Sequence, residues 1–183
     1  MQTGVRVAMV VLCVSAGGCV YGIEGLNPRP NIPEVSSPPV AVLVLAEKVK
    51  QETKVEITAS WTAQLATFRG DIKRGFLNGF PGAKQGDKGA LQLSLTDVEP
   101  TFECLQNVGC VSLLRYRGAL ETGTGKQLMP FAGKARSELC PNKLDNCIST
   151  SIERMYEEIF KATKEMLIEG ATPATTKPGA TSI

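Results

Sequence analysis

Two alternating stretches decide the fold that the sequence predicts: ALQLSLTDV at residues 90–98 and VSLLRYRGAL at residues 111–120. In the first, Leu91, Leu93 and Leu95 alternate with polar residues, which is the period of a strand with one buried face. The second also divides into two sides, one of which carries two arginines. The sequence therefore predicts two long neighbouring strands.

A turn and a third strand follow. TGTG at residues 122–125 supplies the turn, because glycine and threonine clusters interrupt regular structure. Residues 127–139 are expected to return antiparallel from it. Together the three stretches predict an antiparallel meander.

The same turn contains Gly125 and Lys126, as a phosphate-binding loop does. That motif requires a glycine five residues before Gly125 and a serine or threonine after the lysine. Leu120 and Gln127 stand at these positions. The sequence does not predict nucleotide binding.

Two shorter strands are predicted before the meander. Val40–Leu45 is an apolar run between prolines and charged residues, and Val55 and Ile57 alternate with polar residues. The link at residues 47–52 is almost entirely polar. We expect the two strands to form a hairpin with this link exposed to water.

An amphipathic helix is predicted next, with Ser60 as its N-cap. Its apolar residues recur at intervals of three and four, which is helical spacing: Trp61, Leu65, Phe68, Ile72, Phe76 and Leu77. We expect Trp61 to lie in the core rather than in a binding site.

A second helix is predicted to begin at Asp145 or Ser149 and to end at Gly170. It carries an apolar stripe that runs from Ile148 to Leu167 and an opposite face of mixed charge. We interpret the charged face as solvated and the stripe as packed on the sheet. The element order then predicts an α+β fold, a two-layer sandwich in which an antiparallel sheet has both amphipathic helices on one face.

Composition excludes several functions. The chain has 183 residues, 20 basic and 18 acidic side chains and no histidine. Near-neutral charge gives no reason to expect a nucleic-acid partner. Without histidine there is no imidazole base and no histidine ligand for zinc. Asp97, Glu99 and Lys126 are interpreted as solvated surface charges, so we predict no catalytic residue, metal or cofactor, and hence no enzyme.

The N-terminus has the layout of a secretory signal. Arg6 precedes an apolar run at residues 7–14, and SAGGC follows at residues 15–19. Signal peptides need an apolar run of about 7–15 residues, whereas a membrane-spanning helix needs roughly 20. Residues 15–19 resemble the lipobox of bacterial lipoproteins, although Ala16 stands where leucine is commoner. Ordinary secretion with cleavage nearby is the alternative.

The lipobox resemblance implies cleavage after residue 18 and lipid attachment to Cys19. More than one acyl chain is needed for stable anchoring, and a triacylated cysteine, palmitate included, meets that need. Val20, rather than aspartate, follows the cysteine, which by the same resemblance implies the outer membrane, facing the periplasm. Residues 19–39 are rich in proline and are predicted to be a tether, which could reach on the order of 60 Å if extended.

Four further cysteines remain: Cys104, Cys110, Cys140 and Cys147. An even number in an oxidising compartment predicts two disulfides, for which three pairings are possible. We favour the local pairing, Cys104 with Cys110 and Cys140 with Cys147, since each pair brackets a short turn-like stretch. Neither pair has the spacing of a zinc site.

The chain is thus predicted to comprise a signal peptide at 1–18, a tether at 19–39, a globular domain at 40–169 and a disordered tail at 170–183. In this plan it resembles small envelope lipoproteins that are auxiliary subunits of transporters and outer-membrane assembly machines. The resemblance implies a non-catalytic accessory subunit whose partners are the membrane and an envelope protein complex. The alternative is a lipid- or small-ligand-binding module with an apolar cavity between helix and sheet.

Overall fold

The structure is a computed structural model that describes residues 11–14, 18–33, 40–80, 91–105, 108–141 and 143–170. These ranges contain the following strands and helices: β1 (Val11–Val14), β2 (Gly18–Ile23), β3 (Val40–Leu45), β4 (Thr53–Thr58), β5 (Trp61–Leu65), α1 (Phe68–Gly79), β6 (Leu91–Leu105), β7 (Gly109–Glu121), β8 (Gln127–Arg136) and α2 (Leu144–Gly170).

The strands form two sheets. The first has the order β1-β2-β5-β4 and the second the order β3-β6-β7-β8. Two pairs are parallel, β2 with β5 and β3 with β6, and the other pairs are antiparallel. The α+β class is confirmed, but two mixed sheets replace the single antiparallel sheet that we predicted.

The meander of β6, β7 and β8 is confirmed. β6 continues past residue 98, where the predicted strand ended. A shift of register between Leu95 and Asp97 moves the buried side of the strand from odd to even positions, so that Val98 and Phe102 are buried. A β-bulge of this kind hides the continuation of a strand from a simple alternation test.

The predicted hairpin of β3 and β4 is wrong, although both strands exist. β3 pairs with β6 in the second sheet, and β4 pairs with β5 in the first. Short apolar runs predict strands well, but their partners depend on contacts made far away in the sequence.

The predicted helix from Trp61 is also wrong in its first part. Residues 61–65 form β5, and α1 begins at Phe68. Ala63 and Leu65 are buried in β5, so the same residues satisfy a period of two. Ser60 is therefore not a helix cap, and Trp61 is 40% exposed rather than part of the core.

α2 begins and ends close to where the sequence predicted. It packs on β7 and β8 and buries Ile148, Ile152 and Met155. The hydroxyl of Tyr156 donates a hydrogen bond of 2.8 Å to the carbonyl oxygen of Ile72 in α1. Buried residues of both sheets and both helices belong to one continuous core.

The N-terminal segment differs most from its prediction as a tether. Residues 18–23 form β2, which lies between β1 and β5 in the first sheet. Residues 24–33, here called the strap, continue from β2 onto the helices. Within the strap Leu26, Pro28 and Pro30 are buried.

Glycines in α1 allow the strap to approach. A Cβ at Gly75 would lie 3.3 Å from Cβ of Pro28, and one at Gly79 would lie 3.2 Å from Cγ of Pro30. These prolines therefore serve packing as well as stiffness, a role that composition alone does not reveal. Of the predicted tether, residues 34–39 lie outside the described residues, as do most of the predicted signal peptide, loop residues 81–90 and tail residues 171–183.

Candidate functional site

Cys19, the predicted lipid-bearing residue, lies near the start of β2. Its backbone is paired with Cys13 of β1 on one side and with Trp61 of β5 on the other. Its amide donates a hydrogen bond of 2.8 Å to the carbonyl oxygen of Ser60. Cys19 is disulfide-bonded in the full chain. Lipid attachment at Cys19 requires that this disulfide be absent when the lipid is transferred to the sulfur.

Gly18, which precedes the predicted cleavage point, occupies a position that excludes other residues. Its φ is +90°, and a Cβ would lie 2.6 Å from the carbonyl oxygen of Ser60. Glycine alone adopts this conformation at no steric cost. The small residue expected for peptidase access is therefore also required by the fold of the full chain.

The four remaining cysteines form the preferred local pairs. The Cα atoms of Cys104 and Cys110 are 4.0 Å apart, and those of Cys140 and Cys147 are 5.8 Å apart. The backbones of Cys110 and Cys140 exchange hydrogen bonds of 3.1 and 2.8 Å. The two disulfides are thus adjacent: one closes the β6–β7 turn, and the other joins the segment after β8 to the first turn of α2. We call them the disulfide pair.

An apolar groove of about 630 Å³ opens beside the disulfide pair. Its walls include side chains from both sheets and from the start of α2: Tyr21, Ile57, Trp61, Leu105, Val108 and Leu144. Leu105 is 66% exposed and Val108 is 49% exposed. Exposed apolar side chains thus cluster at the groove.

A second depression, of about 480 Å³, lies on the second sheet. Its charged lining is contributed by β6, β7 and β8: Asp97, Glu99, Arg115, Arg117 and Lys134. We call these five residues the polar sheet face. Arg115 lies opposite Glu99 and Lys134, and Arg117 lies opposite Asp97. Within the described residues, none of the five forms an ion pair shorter than 4.0 Å.

The charged side of α2 is not the freely solvated face that we predicted. Glu153 and Glu157 accept hydrogen bonds of 2.8 Å from the strap amides of Arg29 and Asn31. The hydroxyl of Tyr116 donates to Glu158 at 2.6 Å. These carboxylates therefore bind the strap and β7 rather than solvent alone.

Arg154 of α2 is also used within the fold. It donates to the carbonyl oxygen of Arg136 at 2.7 Å and to the carboxylate of Glu138 at 2.9 Å. Burial, together with the hydrogen bond to Glu158, raises the pKa of Tyr116. The hydrogen bonds of Arg154 to Arg136 and of Tyr116 to Glu158 hold α2 against the second sheet.

Asp71 is a buried carboxyl group in α1. Burial raises its pKa to about 6, although hydrogen bonds from Thr67 and Leu26 and the charge of Arg74 act in the opposite direction. The Thr67 hydroxyl is 2.9 Å away. Arg74 also donates to the carbonyl oxygen of Leu26, so Asp71 helps to join α1 to the strap.

Within the described ranges, no group of three or more Cys, Asp or Glu side chains is arranged so that it could hold a metal ion. None of the described helices combines the length and the apolar character that crossing a bilayer demands. Between α2 and the second sheet, Leu114, Met155 and Tyr156 are fully buried.

The fold defines the chain as an α+β protein with two mixed sheets and two helices, and this fold is shared. The crystal structure of protein XCC0632 from Xanthomonas campestris, described under the family name DUF330, has a TM-score of 0.51 and 12% identity. The match covers 83% of this chain and 98% of that one. At this identity the likeness shows a common fold alone.

Two weaker structural matches were found. A minor lipoprotein from Acinetobacter baumannii has a TM-score of 0.40 and 14% identity, over 72% of this chain and 94% of that one. An uncharacterized protein has a TM-score of 0.42 and 10% identity, over 79% and 97%. No protein-family model matches the sequence. No curated protein sequence matches it.

Proposed function

We propose that the protein is a lipoprotein of the bacterial envelope, anchored by Cys19, that acts as a non-catalytic accessory subunit of a transport or assembly complex. The single observation that carries the proposal is SAGGC at residues 15–19 after a short apolar run. The absence of histidine from the chain supports a role in binding rather than in acid–base chemistry.

The polar sheet face is the proposed docking surface. Two acidic residues of β6 face two basic residues of β7, β8 adds Lys134 beside Arg115, and Glu99, Arg115 and Arg117 are exposed. Complementary charges across an interface select partners and speed their association. The charged side of α2 is a weaker candidate, because Glu153, Glu157 and Arg154 already bind other parts of the chain.

The proposal is tested by gentle detergent extraction of the tagged full-length protein from its own cells, followed by mass spectrometry of co-purifying proteins. We expect an envelope membrane protein in fixed ratio. With the double variant Arg115→Glu, Arg117→Glu, the amount of co-purifying partner should fall by at least about ten-fold. Charges that face a partner contribute to the rate of encounter and to affinity.

The matched control reverses two lysines on α2, Lys161→Glu and Lys164→Glu. Both are exposed. Partner recovery should remain at the wild-type level in this variant. Recovery of the protein alone would reject the accessory-subunit role, and equal losses in the two double variants would reject the polar sheet face as the docking surface.

A further inference from the structure

We propose that the apolar groove is a membrane-contacting surface, whose rim residues Trp61, Leu105 and Val108 lie in the interfacial layer of the bilayer that holds the Cys19 lipid. The inference rests on the proposed lipidation of Cys19. It goes beyond that proposal because it assigns an orientation and a second, non-covalent contact with phospholipid.

The first step is the place of the anchor in the fold. Cys19 is paired with Trp61 inside the first sheet, and the chain continues from β2 into the strap, which is held by both helices. After cleavage before Cys19, the lipid-bearing residue would be the first residue of an ordered strand. No spacer would then separate the lipid from the domain, and the end of the sheet that carries Cys19 must lie at the bilayer surface.

The second step concerns the direction of the anchor. Alternate residues of a strand point to the same side, and residues paired across two strands share that side. Cys19 therefore shares a side with Tyr21 and with its partner Trp61. Both Tyr21 and Trp61 line the apolar groove. Acyl chains attached to the Cys19 sulfur would leave the domain on the groove side.

The third step is the chemistry of the rim. Trp61 is 40% exposed, and tryptophan is enriched where membrane meets water because its ring is amphipathic. Leu105 and Val108 supply apolar surface, and the exposed Lys143 supplies a cation for phosphate headgroups. Other large exposed apolar residues, such as Leu77 on α1, are not part of this groove.

The sequence provides a direct probe, because Trp61 is the only tryptophan in the chain. The processed, lipidated protein is reconstituted into vesicles of phosphatidylethanolamine and phosphatidylglycerol, with or without bromine atoms on the acyl chains near the headgroups. We expect bromolipid to reduce Trp61 emission by about two-fold or more, as for an indole held at headgroup level. Aqueous iodide should quench it only weakly.

Variants of the rim sharpen the test. Leu105→Glu together with Val108→Glu should remove most of the bromolipid quenching and make Trp61 accessible to iodide. Leu77→Glu is the matched control, because Leu77 is also exposed but lies on α1. It should leave the quenching unchanged. These positions are on the surface, so circular dichroism should show folded protein in every case.

The outcomes separate this inference from the lipoprotein proposal. The intact mass of the same sample reports whether Cys19 carries lipid. If it does, and Trp61 is not quenched by bromolipid, the orientation is wrong while the lipoprotein proposal stands. If no lipid is attached, the lipoprotein proposal fails, and the full chain is mixed with the same vesicles. Quenching of Trp61 in that mixture would still support a membrane-contacting groove, and no quenching would overturn it. Blue-shifted Trp61 emission that bromolipid leaves unchanged would also overturn it, because it would indicate a contact with protein.

Discussion

At the scale of single residues, Gly118 is a position where the second sheet leaves no room for a side chain. It lies in β7, and a Cβ there would lie 2.7 Å from Cζ of Phe131 and would collide with the carbonyl oxygen of Ser94. We expect Gly118→Ala to lower the free energy of unfolding by about 1–3 kcal/mol, as overpacking does in a close-packed site. Urea denaturation measures the change.

Gly70 is the natural control for this substitution. It lies in α1, and nothing surrounds the position of its missing Cβ within 4 Å. Gly70→Ala should raise the free energy of unfolding by about 0.5–1 kcal/mol, because alanine is the better helix former. Equal effects of the two substitutions would contradict the packing described for Gly118.

Asp71 predicts a dependence of stability on pH. Its pKa is about 6 in the folded protein, above the ordinary value of 3.8, so the folded state binds this proton more tightly than the unfolded state does. The resulting stabilisation is complete below pH 3.8 and is lost as the pH rises through 6. It amounts to up to about 3 kcal/mol, from two pKa units of difference.

Asp71→Asn isolates this effect from that of other carboxyl groups, because asparagine does not titrate. Free energies of unfolding of both proteins are measured between pH 4 and pH 8 by urea denaturation. The loss of stability with rising pH should be larger in the wild type, and the difference should build up between pH 4 and pH 6 and stay constant above pH 6. Parallel profiles would show that burial does not raise the pKa of Asp71.

Among single residues, the pairing of the cysteines could be predicted from the sequence, but the exposure of Trp61 could not. The local cysteine pairs could be predicted, because each pair is separated by only 6 or 7 positions and short loops close easily. The exposure of Trp61 could not be predicted. Its apolar neighbours fit helical spacing and strand spacing equally well, and only the pairing of β5 decides between them.

At the scale of elements, the disulfide pair predicts cooperation between the β6–β7 turn and α2. Replacing Cys104 and Cys110 by serine, or Cys140 and Cys147, should each cost about 2–3 kcal/mol from loop entropy. Because Cys110 and Cys140 share backbone hydrogen bonds, the fourfold variant should deviate from the sum by more than about 0.5 kcal/mol.

Thermal and urea denaturation of the wild type and the three variants provide the cycle, with oxidation state checked by thiol labelling. Strict additivity would show that the two disulfides act independently despite their adjacency. The result depends on the backbone bridge between Cys110 in β7 and Cys140, which follows β8.

Elements themselves were largely predictable and their partners were not. The three strands of the meander and α2 have long, regular patterns, and consecutive antiparallel strands tend to pair with each other. β3 and β4 were recognised as strands, but they do not pair with each other: β3 pairs with β6, and β4 pairs with β5. The proline content of the strap indicated a free spacer, whereas its packing depends on Gly75 and Gly79 in a helix some fifty residues away.

At the scale of the whole molecule, replacement of Cys19 tests the proposed anchor. Cys19→Ser removes the sulfur atom at the predicted cleavage point, so the variant should lack the lipid mass and leave the detergent phase in a two-phase extraction. The unchanged protein should stay in the detergent phase, as expected for more than one acyl chain.

Cys13→Ser is the matched control, since Cys13 lies opposite Cys19 in β1 and within the predicted signal peptide. Its product should be lipidated normally. If the Cys19→Ser protein still entered the detergent phase with an unchanged mass, ordinary secretion or another anchor would replace the lipoprotein proposal.

The molecule's overall class was predictable because two helices and a meander dominate one core. Its candidate site was predictable only in part. The short motif around Cys19 predicts a lipid-bearing residue, whereas the apolar groove draws on β2, β4, β5, the β6–β7 turn and the start of α2. Apolar residues that come together from five places in the sequence give no periodic pattern along any one of them.

β1 lies within the predicted signal peptide, so cleavage would change the edge of the first sheet. It is the outermost strand of the first sheet and covers the backbone of β2, with Val11 opposite Tyr21 and Leu12 opposite Val20. If cleavage occurs before Cys19, this cover is lost and β2 presents unsatisfied amides and carbonyls along an open border, a feature that readily recruits another strand. The precursor would keep that border closed during synthesis, and the mature form would open it once, irreversibly, only after export.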